Sequence, residues 1–202
     1  ESTAGVADWS RCHKCNVGYI AGHRVESALL FETLDAHGHQ IELSQIGCDS
    51  CRSALKSNGF CERCGRGYWG GLTYFSRLTY GLAQGTALDP ATIACDACRA
   101  NAGQTGRCER CGRGMVGNVT ITDQKTYETT AREFRLLLAA IEKGKTCELC
   151  ACAMVVHRTC PTCLIDYSGE TPVQVRRPPM TLGSDAPLVP SDDRPPSSSD
   201  RP

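Results

Sequence analysis

Fourteen of the fifteen cysteines fall into seven Cys-x2-Cys pairs, at 12/15, 48/51, 61/64, 95/98, 108/111, 147/150 and 160/163. No other feature limits the fold so strongly. Two residues between thiols let one tight turn aim both sulfurs at a single ion, the spacing of tetrahedral zinc–thiolate sites. Disulfide frameworks of secreted domains do not place every cysteine in that local spacing. Iron–sulfur clusters use the same ligands, but these spacings match no ferredoxin run. The pairs predict three or four structural Zn(II) ions per chain, held by reduced thiols.

Composition points the same way. The 202 residues include four Phe and two Trp, and aromatics are 6% of the whole. Apolar burial alone is not expected to hold such a length together, and small modules short of core draw on metals. No apolar run approaches the ~20 residues that span a bilayer, and no secretory leader is visible at the start. The expectation is an intracellular, reducing compartment without membrane contact. Basic and acidic side chains number 22 each, which argues against a protein whose main task is to coat nucleic acid.

The pairs sit inside a repeat. Ile46-Gly-Cys48-Asp-Ser-Cys51-Arg52 recurs as Ile93-Ala-Cys95-Asp-Ala-Cys98-Arg99. Nine residues after each copy comes Cys-Glu-Arg-Cys-Gly-Arg-Gly, at 61–67 and 108–114. Residues 147–163 keep the same spacing with other side chains, and Cys12-His-Lys-Cys15 is a first copy of the second half. The period is 47 to 52 residues. We divide the chain into zinc modules at 1–59, 60–106 and 107–168, followed by a tail at 169–202. Residues 171–202 hold eight of the ten prolines and no cysteine or aromatic, a composition that predicts disorder.

The fold class expected is small metal-stabilised α+β modules: tandem zinc-finger repeats of β-hairpin plus short helix. Val25–Leu34 and Gln40–Ile46 read as extended runs around a hairpin turn, and Leu72–Leu82 as another extended stretch. Residues 131–143 read as a helix, capped by Thr130 with Glu133 and stopped at Gly144.

Two zinc registers compete. In the short one each ion takes pairs nine residues apart: 48/51 with 61/64, 95/98 with 108/111, and 147/150 with 160/163. In the long one it takes 12/15 with 48/51, 61/64 with 95/98, and 108/111 with 147/150. Glycine after Cys64 and Cys111 suits the tight turn of a zinc knuckle, whereas the Ile-x-Cys-Asp-x-Cys-Arg segments look like helix starts carrying two ligands. Knuckle, hairpin, then ligand-bearing helix is the order of treble-clef zinc fingers. Residues 10–168 resemble that superfamily in architecture, and the long register is favoured on that resemblance. The short register resembles zinc ribbons, but Arg52 and Arg99 stand where a knuckle would have glycine. The long register leaves Cys160 and Cys163 to form a candidate fourth site with Cys152 and His157, set against a reading of Cys152 as a buried thiol and His157 as a surface residue.

No catalytic constellation is visible. Phosphate loops, Gly-x-Ser-x-Gly and His-Glu-x-x-His are missing, and sites closed by four thiolates leave no open position for a substrate. Arg52, Arg63, Arg66, Arg99, Arg107, Arg110 and Arg113 make the knuckle regions basic. They either contact phosphate or offset thiolate charge, and the second reading is preferred. Tyr74 and Phe75 read as core, with Tyr68 and Trp69 open between core and a base-stacking surface. The expectation is a non-enzymatic scaffold or accessory subunit with a macromolecular partner and no small-molecule substrate. The rival is a nucleic-acid-binding protein.

Overall fold

A computed structural model describes residues 11, 12, 17–89, 91, 93–169 and 171–176. The chain opens on a three-stranded antiparallel sheet of β1 (Arg11–Cys12), β2 (Val17–Ile20) and β3 (His23–Val25). Ala21 and Gly22, with φ of 48° and 81°, make the two-residue turn between β2 and β3, the geometry that matches strand twist in tight hairpins. Helix α1 (Ala28–Leu34) follows, its first turn capped by the Ser27 hydroxyl, which accepts from the Leu30 N–H at 3.0 Å.

Next come β4 (His39–Gln40), a 3-10 turn at Leu43–Gln45, α2 (Asp49–Lys56), β5 (Phe60–Cys61), β6 (Arg66–Trp69), β7 (Leu72–Tyr74) and α3 (Arg77–Ala83). The same kind of sequence of elements returns as β8 (Thr86–Ala87), α4 (Asp96–Ala100), β9 (Gly106–Arg107), β10 (Gly114–Val116), β11 (Val119–Ile121) and α5 (Gln124–Gly144). The two sheets share one strand order, β4-β7-β6-β5 and β8-β11-β10-β9. Helix α6 (Glu148–Val155) and the ribbon of β12 (Ile165–Asp166) with β13 (Val173–Gln174) complete the described chain.

The hairpins β2-β3, β6-β7 and β10-β11 are each followed by a helix, and three of the local expectations change for that reason. Val25–Leu34 and Leu72–Leu82 are not extended throughout: Ser27 and Ser76 cap helices within them. Phe31 and Leu34 are buried on the first of these helices and Leu78 and Leu82 on the second, while Tyr74 stays in strand β7 and Phe75 lies between strand and helix. The long helix begins at Asp123, not Thr130, and its cap is the Asp123 carboxylate accepting from the Thr126 N–H at 2.7 Å. Thr130 is buried in mid-helix and donates back to the Thr126 carbonyl at 2.6 Å. Gly81 of α3 sits against it so closely that a Cβ there would lie 2.0 Å from Oγ1.

Helices α1, α3, α5 and α6 share one apolar core with the hairpins β2-β3 and β10-β11, and α2 and α4 pack in smaller clusters with their cysteines. Phe134, Leu137 and Ala140 of α5 are fully buried among Leu30 and Leu34 of α1, Leu78 and Leu82 of α3, Ala151 and Val155 of α6, and the hairpin residues Ile20, Val25, Val116, Val119 and Ile121. Each such Leu or Phe contributes about 1.5–3 kcal/mol of transfer free energy. The few aromatics thus understate the core, because aliphatic side chains from four separate stretches of chain meet those of α5. Two hairpin turns also dock directly: the Asn118 N–H donates to the Ala21 carbonyl at 3.0 Å. Part of the predicted tail is ordered strand, since Val173 pairs with Asp166 and Gln174 with Ile165; the remainder, 177–202, lies outside the described residues.

Candidate metal centres

Three of the cysteine pairs open helices. Cys48, Cys95 and Cys147 are the N-caps of α2, α4 and α6, and Cys51, Cys98 and Cys150 lie in the first turn. Asp49, Asp96 and Glu148 stand in those first turns, where the helix end carries partial positive charge. The arginine of the repeat ties the helix start to the irregular segment that feeds it. Arg52 donates to the Ile46 carbonyl at 3.2 Å and to Asp49 at 2.9 Å; Arg99 donates to the Ile93 carbonyl at 2.7 Å and pairs with Asp96 at 3.2 Å. These segments are helix starts, as their sequence suggests, and the arginine belongs to the helix.

The other three pairs form tight turns. The N–H groups of Gly65, Gly112 and Leu164 donate to the carbonyls of Cys61, Cys108 and Cys160 at 2.9, 2.8 and 2.9 Å. All three residues have positive φ, 65°, 70° and 55°. Glycine adopts that backbone freely; Leu164 adopts it at a cost of roughly 1–2 kcal/mol.

Helix pair and turn pair meet in three clusters: Cys48, Cys51, Cys61 and Cys64; Cys95, Cys98, Cys108 and Cys111; Cys147, Cys150, Cys160 and Cys163. Within each, the four sulfurs lie within 4.8 Å of one another. This is the short register, and it corrects the preference for the long one. The treble-clef order requires the helix after the hairpin to bring the ligands, but here that helix (α1, α3 or α5) has no cysteine and packs into the core. The module boundaries at 59/60 and 106/107 fall inside the first two clusters.

All three clusters could hold one ion, and the sulfur spacings of the middle and third fit a tetrahedral one. Sulfurs about 2.3 Å from one centre would stand about 3.8 Å apart; Cys95 and Cys108 are 3.8 Å apart, Cys98 and Cys111 3.3 Å, and Cys147 and Cys163 3.6 Å. The electrostatics need a cation too. Backbone N–H groups, led by Cys51 N–H, lower the Cys48 thiol to about 6, with the Cys64 thiol adding to it. The Cys111 and Cys150 N–H groups lead the same effect on Cys108, to about 6, and Cys147, to about 7. Neighbouring thiols, Cys51 first, push Cys64 up to about 12, and burial first pushes Cys150 up to about 12. One thiolate per cluster is prepared by the fold, and at Cys64, Cys98 and Cys150 neighbouring thiols and burial oppose the thiolate, which a positive ion would offset.

Cys152 and His157 do not join these sets. Cys152 lies on another side of α6 from Cys150 and packs against the main core; burial raises its thiol, and Thr33 is its hydrogen-bonding neighbour. The ring Nε2 of His157 stands 2.8 Å from Glu133 Oε2. Cys160 and Cys163, assigned to a fourth site in the long register, belong with Cys147 and Cys150. Cys12 is exposed in β1, and Cys15 lies outside the described residues.

The aromatic readings divide. Tyr68 and Tyr74 are buried, but Phe75 is partly exposed, like Trp69, and carries Arg66 over its ring at 5.3 Å and His39 beside it at 5.1 Å. Arg77 lies 4.8 Å from the Phe60 ring centroid and pairs with Glu62. Arg107 donates to the Gly112 carbonyl at 3.1 Å.

Sequence reasoning missed one feature. A cleft of about 920 Å³ runs between the first and third clusters over α5, lined by Arg63, Arg77, Arg132, Arg135 and Arg158 with Glu62 and Glu133. These residues come from four separate stretches of chain, so no local motif announces them. Glu133 is buried, which would raise its carboxyl, but His157, Arg132 and Arg77 outweigh that and hold it low. Among the described residues no helix is long and apolar enough to cross a membrane. Comparisons with family models, with curated proteins and with solved structures returned no match.

Proposed function

We propose that the chain is a non-catalytic zinc protein that acts as a scaffold or accessory subunit, and that the arginine-lined cleft takes an acidic segment of a protein partner. Zinc is the ion proposed because four thiolates in a closed tetrahedral set are its usual structural environment. With four sulfurs per ion, no coordination position is left for a substrate or an activated water.

The observation that carries the reading is in the cleft. Among the described residues Arg63, Arg135 and Arg158 are exposed and take part in no ion pair, although all three line it. Its floor includes Leu136, Ala139, Met154 and Val156, which suits side chains of a peptide better than bases. Arg52, Arg66, Arg99 and Arg107 of the cysteine repeats are already engaged within the protein, and the chain carries no net charge. Both points favour a protein partner over nucleic acid.

Titration of the zinc-loaded chain with an acidic peptide and with a single-stranded oligonucleotide, each at several salt concentrations, tests this. Saturable peptide binding that weakens with salt and is lost in an Arg63→Glu/Arg158→Glu variant is the expected result. Tight oligonucleotide binding without peptide binding would assign the cleft to nucleic acid instead.

A further inference from the structure

The three clusters are alike in ligands and exposure but differ in the residue that backs them. Four positions after the last cysteine stand Tyr68, Met115 and Tyr167. All three are buried, with 1%, 3% and 7% of their surface exposed, and each packs in the small apolar cluster that contains two ligands of its own site. Tyr68 packs with Cys51 and Cys61, Met115 with Cys98 and Cys108, and Tyr167 with Cys150 and Cys160.

A phenol and a thioether do different things beside a thiolate. The phenol O–H donates a hydrogen bond and withdraws charge from the sulfur; a thioether has no proton to give. Tyr68 lies buried beside Cys51 and Cys61, and Tyr167 beside Cys150 and Cys160, each where its phenol can serve a ligand sulfur. Such outer partners steady a metal site that already carries two formal negative charges from four thiolates and one divalent ion.

We propose that the middle site, Cys95–Cys98–Cys108–Cys111, is the exchangeable one, giving up its zinc before the two sites backed by tyrosine. The inference rests on the reading that all three clusters hold zinc. Exposure does not separate the first and middle sites, since their four cysteines run intermediate, buried, buried, exposed in the same order. Nor does the arginine brace, which Arg52 and Arg99 supply alike. Two differences remain: the missing phenol, and a ligand-bearing helix of five residues where α2 and α6 have eight. Like the other two clusters, the middle one lies apart from the residues of the main core, so the chain can exchange that ion while α5 and its neighbours stay packed.

The test is limited alkylation of the as-purified full chain with N-ethylmaleimide, read by native mass spectrometry for zinc and by peptide mapping for labelled cysteines. The first zinc lost should be accompanied by label on Cys95, Cys98, Cys108 or Cys111. Tyr68→Phe, which keeps the ring and removes the donor, should speed zinc loss from the first site by about tenfold or more. Label appearing first at Cys48–Cys64 or Cys147–Cys163, equal loss from all three sites, or an unchanged first site in Tyr68→Phe overturns the proposal. Fewer than three zinc ions before alkylation would instead count against the zinc reading on which it rests.

Discussion

The ring of Tyr80 packs so closely on the backbone of Gly67 that a Cβ on that glycine would lie 2.3 Å from it. The same relationship joins Gly18 to Phe31 at 2.2 Å and Gly114 to Tyr127 at 2.3 Å, with twelve residues between the partners in each case. In each hairpin the helix that follows is thereby seated on the first strand by one aromatic ring over one glycine. Gly67→Ala should destabilise the folded chain by about 1–3 kcal/mol through overpacking, measured by denaturant unfolding. Gly47→Ala, where a Cβ would meet nothing within 4 Å, should change stability far less. Tyr80→Ala combined with Gly67→Ala should cost less than the two single changes summed, since the clash is removed.

Glu133 and His157 join α5 to the end of α6 at 2.8 Å. Because the carboxyl is held below its ordinary value, its contribution is present above the ordinary carboxylate range and is lost as pH falls through the lowered value. Glu133→Gln should cost about 1–3 kcal/mol near neutral pH and reduce the fall in stability on acidification. Denaturant midpoints of both proteins across that range check the sign.

A shared core changes what metal removal should do. With α5 packed among α1, α3 and α6, a strong chelator should release the turns at 61–65, 108–112 and 160–164 while leaving protection in the middle of α5. Hydrogen exchange with and without chelator measures this directly. Leu137→Ala, which empties a fully buried site, should cost about 2–5 kcal/mol and remove that residual protection.

The local chemistry of the sites was legible in the sequence. Cys-x2-Cys spacing identified the pairs now found in the three clusters, Asp49 and Asp96 after the first cysteine marked helix starts, and Gly65 and Gly112 marked turns. Leu164 hides the third turn, because a leucine in left-handed backbone has no sequence signature. The register was not legible. It depends on α1 and α3, whose Phe31, Tyr80 and neighbouring aliphatics resemble strand residues although Ser27 and Ser76 cap them as helices. The cleft was invisible for a related reason: Arg63, Arg77, Arg135 and Arg158 are far apart in sequence and meet only through the shared core.

The central claim is three closed four-cysteine zinc sites, each formed by pairs nine residues apart. Zinc content of the as-purified protein by elemental analysis and native mass spectrometry, compared with paired serine variants, tests it most directly. The account predicts at least three zinc ions in the parent, with one fewer in Cys48→Ser/Cys61→Ser and two fewer in Cys48→Ser/Cys108→Ser, since lesions in one site cost one ion. Loss of two ions from Cys48→Ser/Cys61→Ser, or an iron chromophore in place of zinc, would contradict it.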